Sequence, residues 1–297
     1  MFTRTSPSRG IGSPEVVGFH DPATGSCQYL VIDPATRAAA LIDIVLDFDV
    51  PACRTSTRSA EWALELVRKH DADLRLILDT HPHADHLSAG AWLRDRTGVP
   101  LWTGAKVREI AELWADFYNL PGAFDPDRDF DRLLEDGERF ALGDQEVRVM
   151  LSPGHTLGSV SFVVGDAAFV HDTFMHPDSG TSRADFPGGS ASALHDSLTV
   201  ILALPDDTRL FVGHDYDSKT REEPAWESTV AQQRAHNTHL GGGTSREAFI
   251  TLREARDATL KLPQRMLHAL QVNLRGGRLP EPEADGRSYF KLPANRF

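Results

Sequence analysis

Six consecutive residues, His81-Pro82-His83-Ala84-Asp85-His86, place three imidazoles and a carboxylate directly after the apolar run 74–78. Neutral imidazole and carboxylate are the ligand types that hold zinc or iron, and packing seldom needs a group this dense. Three later segments offer further ligands: His155 in Pro153-Gly154-His155-Thr156, Asp172 in His171-Asp172-Thr173, and His214 in Gly213-His214-Asp215. Together they point to a metal site. Isolated histidines such as His20, His70, His195 and His268 are expected to be surface or satisfied core residues, whereas His171 and His176 flank Asp172 and are better placed.

The elements that must position these groups can be read around them. Pro82 biases His81 toward extended backbone, where residues i and i+2 face one side, so His81 and His83 can converge. Asp85-His86 stands where the chain turns into a helix, a favourable place for a carboxylate. Gly154 and Gly158 flank His155 and permit a tight loop. Asp172 and His214 each follow a short apolar run. Every candidate thus falls at the end of a strand, where a sheet edge can gather them.

Residues 15–20, 27–33 and 38–43 read as short strands, separated by the turns Asp21-Pro22 and Asp33-Pro34. Residues 59–70 carry Trp62, Leu64, Leu66 and Val67, which predicts a helix feeding a strand at 74–79. Helices are expected at 87–97 and 106–118, and 124–136 reads as an acidic, aromatic loop. The second half predicts strands at 146–151, 159–164, 167–170 and 209–212, with helices at 190–204, 227–236 and 246–260. A Pro- and charge-rich tail follows. Gly241-Gly242-Gly243 is a hinge too short for an interdomain linker. The expectation is one catalytic domain over 1–240, with a C-terminal helical extension and tail, 241–297, packed on it.

Bulk properties narrow the function. The 297-residue chain can bury a large core, and 40% hydrophobic with 25% charged residues is ordinary globular composition. A net charge of −12 argues against nucleic acid as a partner, because phosphate binding draws on clustered Lys and Arg. The two cysteines, Cys27 and Cys53, form neither a disulfide framework nor a CxxC clip. No apolar stretch approaches the roughly 20 residues that span a bilayer, and the N-terminus lacks a secretory apolar region, so a cytoplasmic protein with no membrane association is expected.

The run from Thr80 to Gly90 resembles the HxHxDH signature of the metallo-β-lactamase superfamily, and His155, Asp172 and His214 match its remaining ligand motifs in order. The resemblance covers about residue 15 to the glycine hinge. It implies an α/β fold, the four-layer αββα sandwich, with the site at one edge of two packed sheets. Gly180-Thr181-Ser182-Arg183-Ala184-Asp185-Phe186 resembles the G-x-x-R-x-D-F element of the persulfide dioxygenase branch, as do His214-Asp215-Tyr216, residues 270–274 and Arg278-Leu279-Pro280. Thr181 stands where some members carry Cys, so any role of that thiol is absent.

That resemblance implies one Fe(II) per chain, held by His81, His155 and Asp172, with open positions for sulfur and O₂. His83, Asp85, His86 and His214 then orient those ligands or complete a second metal site, and Zn is the alternative metal. Asp85, His86, His214 and Tyr216 are the implied catalytic group. Arg183 is a candidate to grip a glutathione carboxylate, its alternative being an ion pair with Asp185. Tyr216 either donates to the substrate or packs as an aromatic. The implied reaction oxidises glutathione persulfide with O₂ to sulfite and glutathione, and a homodimer is suggested. The main rival is a glyoxalase-II-like binuclear hydrolase of glutathione thioesters, against which stands the lack of an evident basic glutathione-binding region in the tail. A nucleic-acid-processing enzyme and a metal-storing module are weaker alternatives, the second because open coordination positions do not suit a structural site.

Overall fold

Along the strands Ser26–Ile32 and Ala38–Ile42, successive side chains enter two different apolar clusters. Tyr29, Val31, Ala38, Ala40 and Ile42 join one, while Leu30, Ile32, Ala39 and Leu41 join the other. A strand buried on both faces belongs in the middle of a layered fold. The computed structural model, which describes residues 1–216 and 221–297, builds that fold.

Seven strands form the first sheet, in the order Phe2–Ser6, Glu15–Asp21, Ser26–Ile32, Ala38–Ile42, Asp73–Asp79, Leu101–Gly104 and Arg132–Leu134. Six form the second: Arg139–Leu142, Gln145–Leu151, Val160–Val164, Ala167–His171, Arg209–Val212 and Glu227–Thr229. The sheets meet through edge-on aromatic contacts, with Tyr29 5.3 Å from Phe169 and 5.5 Å from Phe211. On the outer face of the first sheet, helix Arg58–Lys69 buries Ala60, Ala63, Leu66 and Val67, and helix Val107–Tyr118 buries Val107, Ile110, Ala111, Trp114 and Tyr118. These spacings put each apolar stripe on one helical face. On the second sheet, helix Ala191–Leu202 packs with Leu194, Leu198 and Ile201. The helix–sheet–sheet–helix order is the four-layer arrangement that the resemblance implies.

Several elements differ from the sequence reading. The strand Phe2–Ser6 was not anticipated. It pairs antiparallel with Glu15–Asp21 and is tied down by buried Arg209, whose guanidinium donates to Ser6 Oγ and the Pro14 carbonyl. The expected loop at 124–136 contains helix Pro126–Asp129 and the strand Arg132–Leu134, which extends the sheet in parallel. The expected helix at 227–236 opens as the strand Glu227–Thr229, and a capping box of Thr229 and Gln232 then starts helix Val230–His236. Residues 87–97 begin as a two-residue strand, Leu87–Ser88, paired with Val45–Asp49, before helix Gly90–Thr97. Beyond the glycines, helix Arg246–Asp257 seats Phe249 in the core and helix Met266–Asn273 packs Met266, Ala269, Leu270 and Val272 under the first sheet. No helix among the described residues is long and apolar enough to cross a membrane.

Candidate metal centre

Strands from both sheets deliver the ligand candidates to one edge. The His81–His86 segment follows strand Asp73–Asp79, the His155 loop follows Gln145–Leu151, Asp172 follows Ala167–His171, and His214 follows Arg209–Val212. A bridge between Ser26 and His214 joins the two sheets there. The local backbone is fitted to this task. Gly154, before His155, has φ +134°, and a Cβ there would fall 2.3 Å from the Leu194 backbone.

The first ligand group is His81, His155 and Asp172, all buried, with one ligand atom from each within 4.8 Å of the others. His155 Nε2 lies 3.5 Å and His81 Nε2 3.8 Å from Asp172 Oδ2. Atoms each about 2.1 Å from one ion at a tetrahedral angle stand about 3.4 Å apart, so the spacing suits a shared metal. Hydrogen bonding also fixes the tautomers. Thr80 Oγ1 donates to Asp43 Oδ2 at 2.8 Å, so it accepts from His81 Nδ1–H at 3.0 Å, and the lone pair falls on His81 Nε2. That nitrogen is buried and has no hydrogen-bond partner. His155 Nδ1–H donates to the Arg183 carbonyl at 2.8 Å, which likewise frees Nε2. Burial, aided by neighbouring imidazoles, pushes the pKa of His81 well below its ordinary value. Burial also lowers the pKa of His155, outweighing Asp172. Both are neutral, the form that ligates a metal.

Two more groups adjoin the first: His83, Asp85 and His86, and Asp85, Asp172 and His214. His214 lies between two carboxylates, its Nδ1 2.6 Å from Asp172 Oδ1 and its Nε2 2.5 Å from Asp85 Oδ2. Burial alone would lower its pKa, but those carboxylates prevail and push it well above the imidazole range, while Asp172 and Asp85 stay well below theirs despite burial. His83 Nε2 lies 3.1 Å from Asp43 Oδ1, and His86 Nδ1–H donates to the Leu87 carbonyl at 3.1 Å. The remaining histidines fall outside these groups. His171 sits between the hydroxyls of Ser152 and Thr173, His176 pairs with Asp178, His70 pairs with Glu15, and His20 meets the Asp215 carbonyl.

A cavity of about 1110 Å³ opens over the centre, lined by Asp85, His155, Asp172 and His214. Tyr216 lies half-exposed on its wall, stacked on His214 with ring centroids 5.1 Å apart. Arg183 lines it too, but its guanidinium is engaged. Nε and Nη2 donate to the two Asp185 oxygens at 2.6 and 2.7 Å, and Nη1 donates to the Lys261 carbonyl. The ion pair is therefore what the structure holds, and the Arg183 carbonyl, not its side chain, faces the centre through His155.

Sequence reasoning missed Asp43 and Asn273, which brace the ligand segment. Asp43 Oδ1 accepts from the Thr80 amide at 2.8 Å, and Asn273 Nδ2 donates to the carbonyls of His83 and His86 at 2.8 Å each. It also missed the cations Arg256, Lys261 and Arg265, which line the cavity and form no ion pair with an acid among the described residues. Asn273 lies in the 270–274 run that carries part of the resemblance, but nothing in that run marks its clamp on the ligand segment, and no local motif announces the others.

The metallo-beta-lactamase superfamily model matches residues 22–214, and the chain belongs to that superfamily and has its fold. Among its relatives is a beta-lactamase hydrolase-like protein of Xylella fastidiosa, 53% identical over 287 residues, a match covering 97% of this chain and 66% of that protein. The chain thus spans just under two thirds of that relative's length. It is 30% identical over 276 residues to the mitochondrial persulfide dioxygenase ETHE1 of Homo sapiens, covering 90% of this chain and 91% of that one. The crystal structure of ETHE1 from Myxococcus xanthus superposes with a TM-score of 0.70 at 30% identity, covering 94% of this chain and all of that one (100%). Within this fold, the buried His/Asp cluster supports a metal cofactor.

Proposed function

We propose that the chain is an iron-dependent persulfide dioxygenase that converts glutathione persulfide, O₂ and water to glutathione and sulfite. The supporting observation is how Asp172 divides its oxygens: Oδ2 faces His81 and His155, while Oδ1 is held by His214 Nδ1. With both of its nitrogens on carboxylates, His214 acts as an orienting group rather than a ligand. On this reading His81, His155 and Asp172 give one ion two imidazoles and one carboxylate, the set that suits non-haem Fe(II) with open positions. Bound iron would supply the redox chemistry that joins oxygen to sulfur.

The chain's own residues bind and orient. His81, His155 and Asp172 hold the ion, and Asp85 and His214 fix the Asp172 carboxylate. His83 and His86 are set beside them by Asp43 and Asn273. Tyr216 walls the substrate's path. Since Arg183 is engaged, the glutathione carboxylates fall to Arg256, Lys261 and Arg265, whose charge has no acidic partner among the described residues. The overall reaction balances as GSSH + O₂ + H₂O → GSH + H₂SO₃.

A second reading, a binuclear hydrolase of glutathione thioesters, draws on the adjoining group His83, Asp85 and His86, and on those same cations, which remove the objection raised from the tail. Elemental analysis of anaerobically purified protein, with an oxygen electrode, separates the two. About one Fe per chain with persulfide-dependent oxygen loss is expected. Two Zn per chain with S-lactoylglutathione hydrolysis overturns the proposal.

A further inference from the structure

The turn that follows helix Val230–His236 is locked onto the cavity wall. Asn237 caps the helix, and its Oδ1 accepts from the His239 amide at 2.9 Å. Its Nδ2 donates to the Gly180 carbonyl at 2.9 Å and to Gln233 Oε1 at 2.7 Å. The His239 ring then lies flat on Gly180. A Cβ at that glycine, whose φ is +89°, would fall 2.4 to 2.6 Å from the ring atoms Nδ1, Cε1 and Cγ. So the ring is held by its backbone, by Gly180 and by Thr181.

The contact with Thr181 settles where the ring proton sits. The Thr181 amide donates to His239 Nδ1 at 3.0 Å, and an amide N–H can only donate. Nδ1 is therefore an acceptor, and the neutral ring carries its hydrogen on Nε2. Burial, reinforced by the nearby guanidinium groups of Arg253 and Arg256, pushes its pKa down to about 4, so the ring is neutral near pH 7. Nε2 has no protein partner among the described residues, and His239 lines the same cavity as His155 and Asp172. A rigid, uncharged donor faces the substrate space, beside cations that carry no acid.

We infer that His239 is a specificity-determining residue whose Nε2–H reads an amide carbonyl oxygen of a peptide-bearing thiol substrate. The division of labour follows from charge. Carboxylates go to Arg256, Lys261 and Arg265, while a neutral donor matches a neutral carbonyl without a desolvated charge to offset. The inference rests on the proposed function for its glutathione-type substrate, and it holds equally if the chemistry at the metal is thioester hydrolysis.

Two substitutions separate recognition from scaffolding. In His239→Asn the side-chain oxygen reaches the Nδ1 position and can still accept from the Thr181 amide, but nothing occupies Nε2. In His239→Gln the amide nitrogen reaches the Nε2 position and restores the donor. Binding of glutathione to the metal-loaded full chain is measured by calorimetry, alongside 3-mercaptopropionate, a thiol carboxylate with no amide. Melting temperatures are recorded in parallel. His239→Asn is expected to weaken glutathione about 10-fold, leave 3-mercaptopropionate within about 2-fold and keep the melting temperature. His239→Gln is expected to return glutathione to within about 3-fold of the parent. Equal glutathione affinity in the parent and His239→Asn overturns the inference. So does a loss shared by both thiols that His239→Gln fails to rescue, or a parent protein that does not bind glutathione. Failure of the dioxygenase reading shows separately, as absent oxygen uptake in protein that binds glutathione.

Discussion

Asn273 ends the last helix with its side chain buried, yet it reaches the segment that carries His83, Asp85 and His86. Its Nδ2 donates to two carbonyls at 2.8 Å and its Oδ1 accepts from the Ser88 amide at 2.7 Å. Asn273→Asp keeps the acceptor but replaces both donors with an oxygen facing two carbonyl oxygens. Each buried hydrogen bond lost with its partner left unsatisfied costs about 1–3 kcal/mol, so two give about 2–6 kcal/mol, with the charged form at the upper end. Protonating the new carboxyl restores one donor, which raises its folded-state pKa above the unfolded value of about 3.9. Stability relative to the parent is therefore best below about pH 4 and falls as pH rises through the folded pKa. Asn273→Leu removes the same bonds without a charge and should lose about 3 kcal/mol with little pH dependence. Loosening the ligand segment should also weaken metal binding about 10- to 100-fold. Urea unfolding of chelator-stripped protein at pH 5 and 8, with chelator competition for the metal, reads both effects. If both variants unfold with the parent and bind metal within about 2-fold of it, the clamp has no role.

Gly154→Ala should lose at least about 3 kcal/mol and retain less metal, because φ +134° and the Leu194 backbone at 2.3 Å leave no room for a methyl group beside His155. A parent-like urea midpoint and metal content would contradict that. Although burial pushes the other way, hydrogen bonds from Thr36, Asp144, Ala35 and Gln145 lower the Asp33 pKa to about 2. Its stabilisation, about 2 kcal/mol, is present above about pH 4 and lost as pH falls through 2, so Asp33→Asn should be weaker at pH 7 and converge with the parent in acid. A constant gap across that range refutes the linkage. Arg256→Ala is expected to raise KM for the persulfide about 5- to 10-fold with kcat within about 2-fold, whereas Arg183→Lys should lower the melting temperature by breaking the Asp185 fork. Steady-state kinetics and thermal scans would expose the reverse pattern. His214→Ala should keep about one metal per chain at about 10- to 100-fold weaker affinity; a fall from two metals to one, by elemental analysis, would make His214 a ligand.

The parts of the site that the sequence reveals and those it hides differ in range. His81, His83, Asp85 and His86 stand together because one strand end must present several ligands at once, and His155, Asp172 and His214 each follow a short apolar run. Chemistry of residue type and a local period of two suffice to find them. Asp43 and Asn273 act on the same segment from 37 and 190 positions away, through single hydrogen bonds that leave no periodic trace. Arg256, Lys261 and Arg265 follow no helical or strand spacing, and only the turn after helix Arg246–Asp257 brings them to one wall. The layering was expected from the family resemblance, and its physical reason shows in the structure, where strands such as Ala38–Ile42 are buried on both faces and so suit a central place. The edge strand Phe2–Ser6 is partly exposed and weakly apolar, and it becomes a strand through its partner and Arg209.

Seven ligand candidates that one sequence motif set makes equivalent are made unequal by their hydrogen bonds. A metal needs a lone pair, and a neutral imidazole presents it at a fixed nitrogen where the other nitrogen has an acceptor for its proton. His81 has that through Thr80, itself oriented by Asp43, His155 through the Arg183 carbonyl, and His86 through the Leu87 carbonyl. His214 has a carboxylate oxygen beside each nitrogen, and the two raise its affinity for a second proton. Asp85 and Asp172 each place an oxygen against His214, and each also stands in a ligand group with two imidazoles, Asp172 with His81 and His155 and Asp85 with His83 and His86. Where the ring protons sit decides which nitrogens face a metal, and the groups that place them, Thr80, the Arg183 carbonyl and the two carboxylates, bear on the chemistry as much as the ligands themselves.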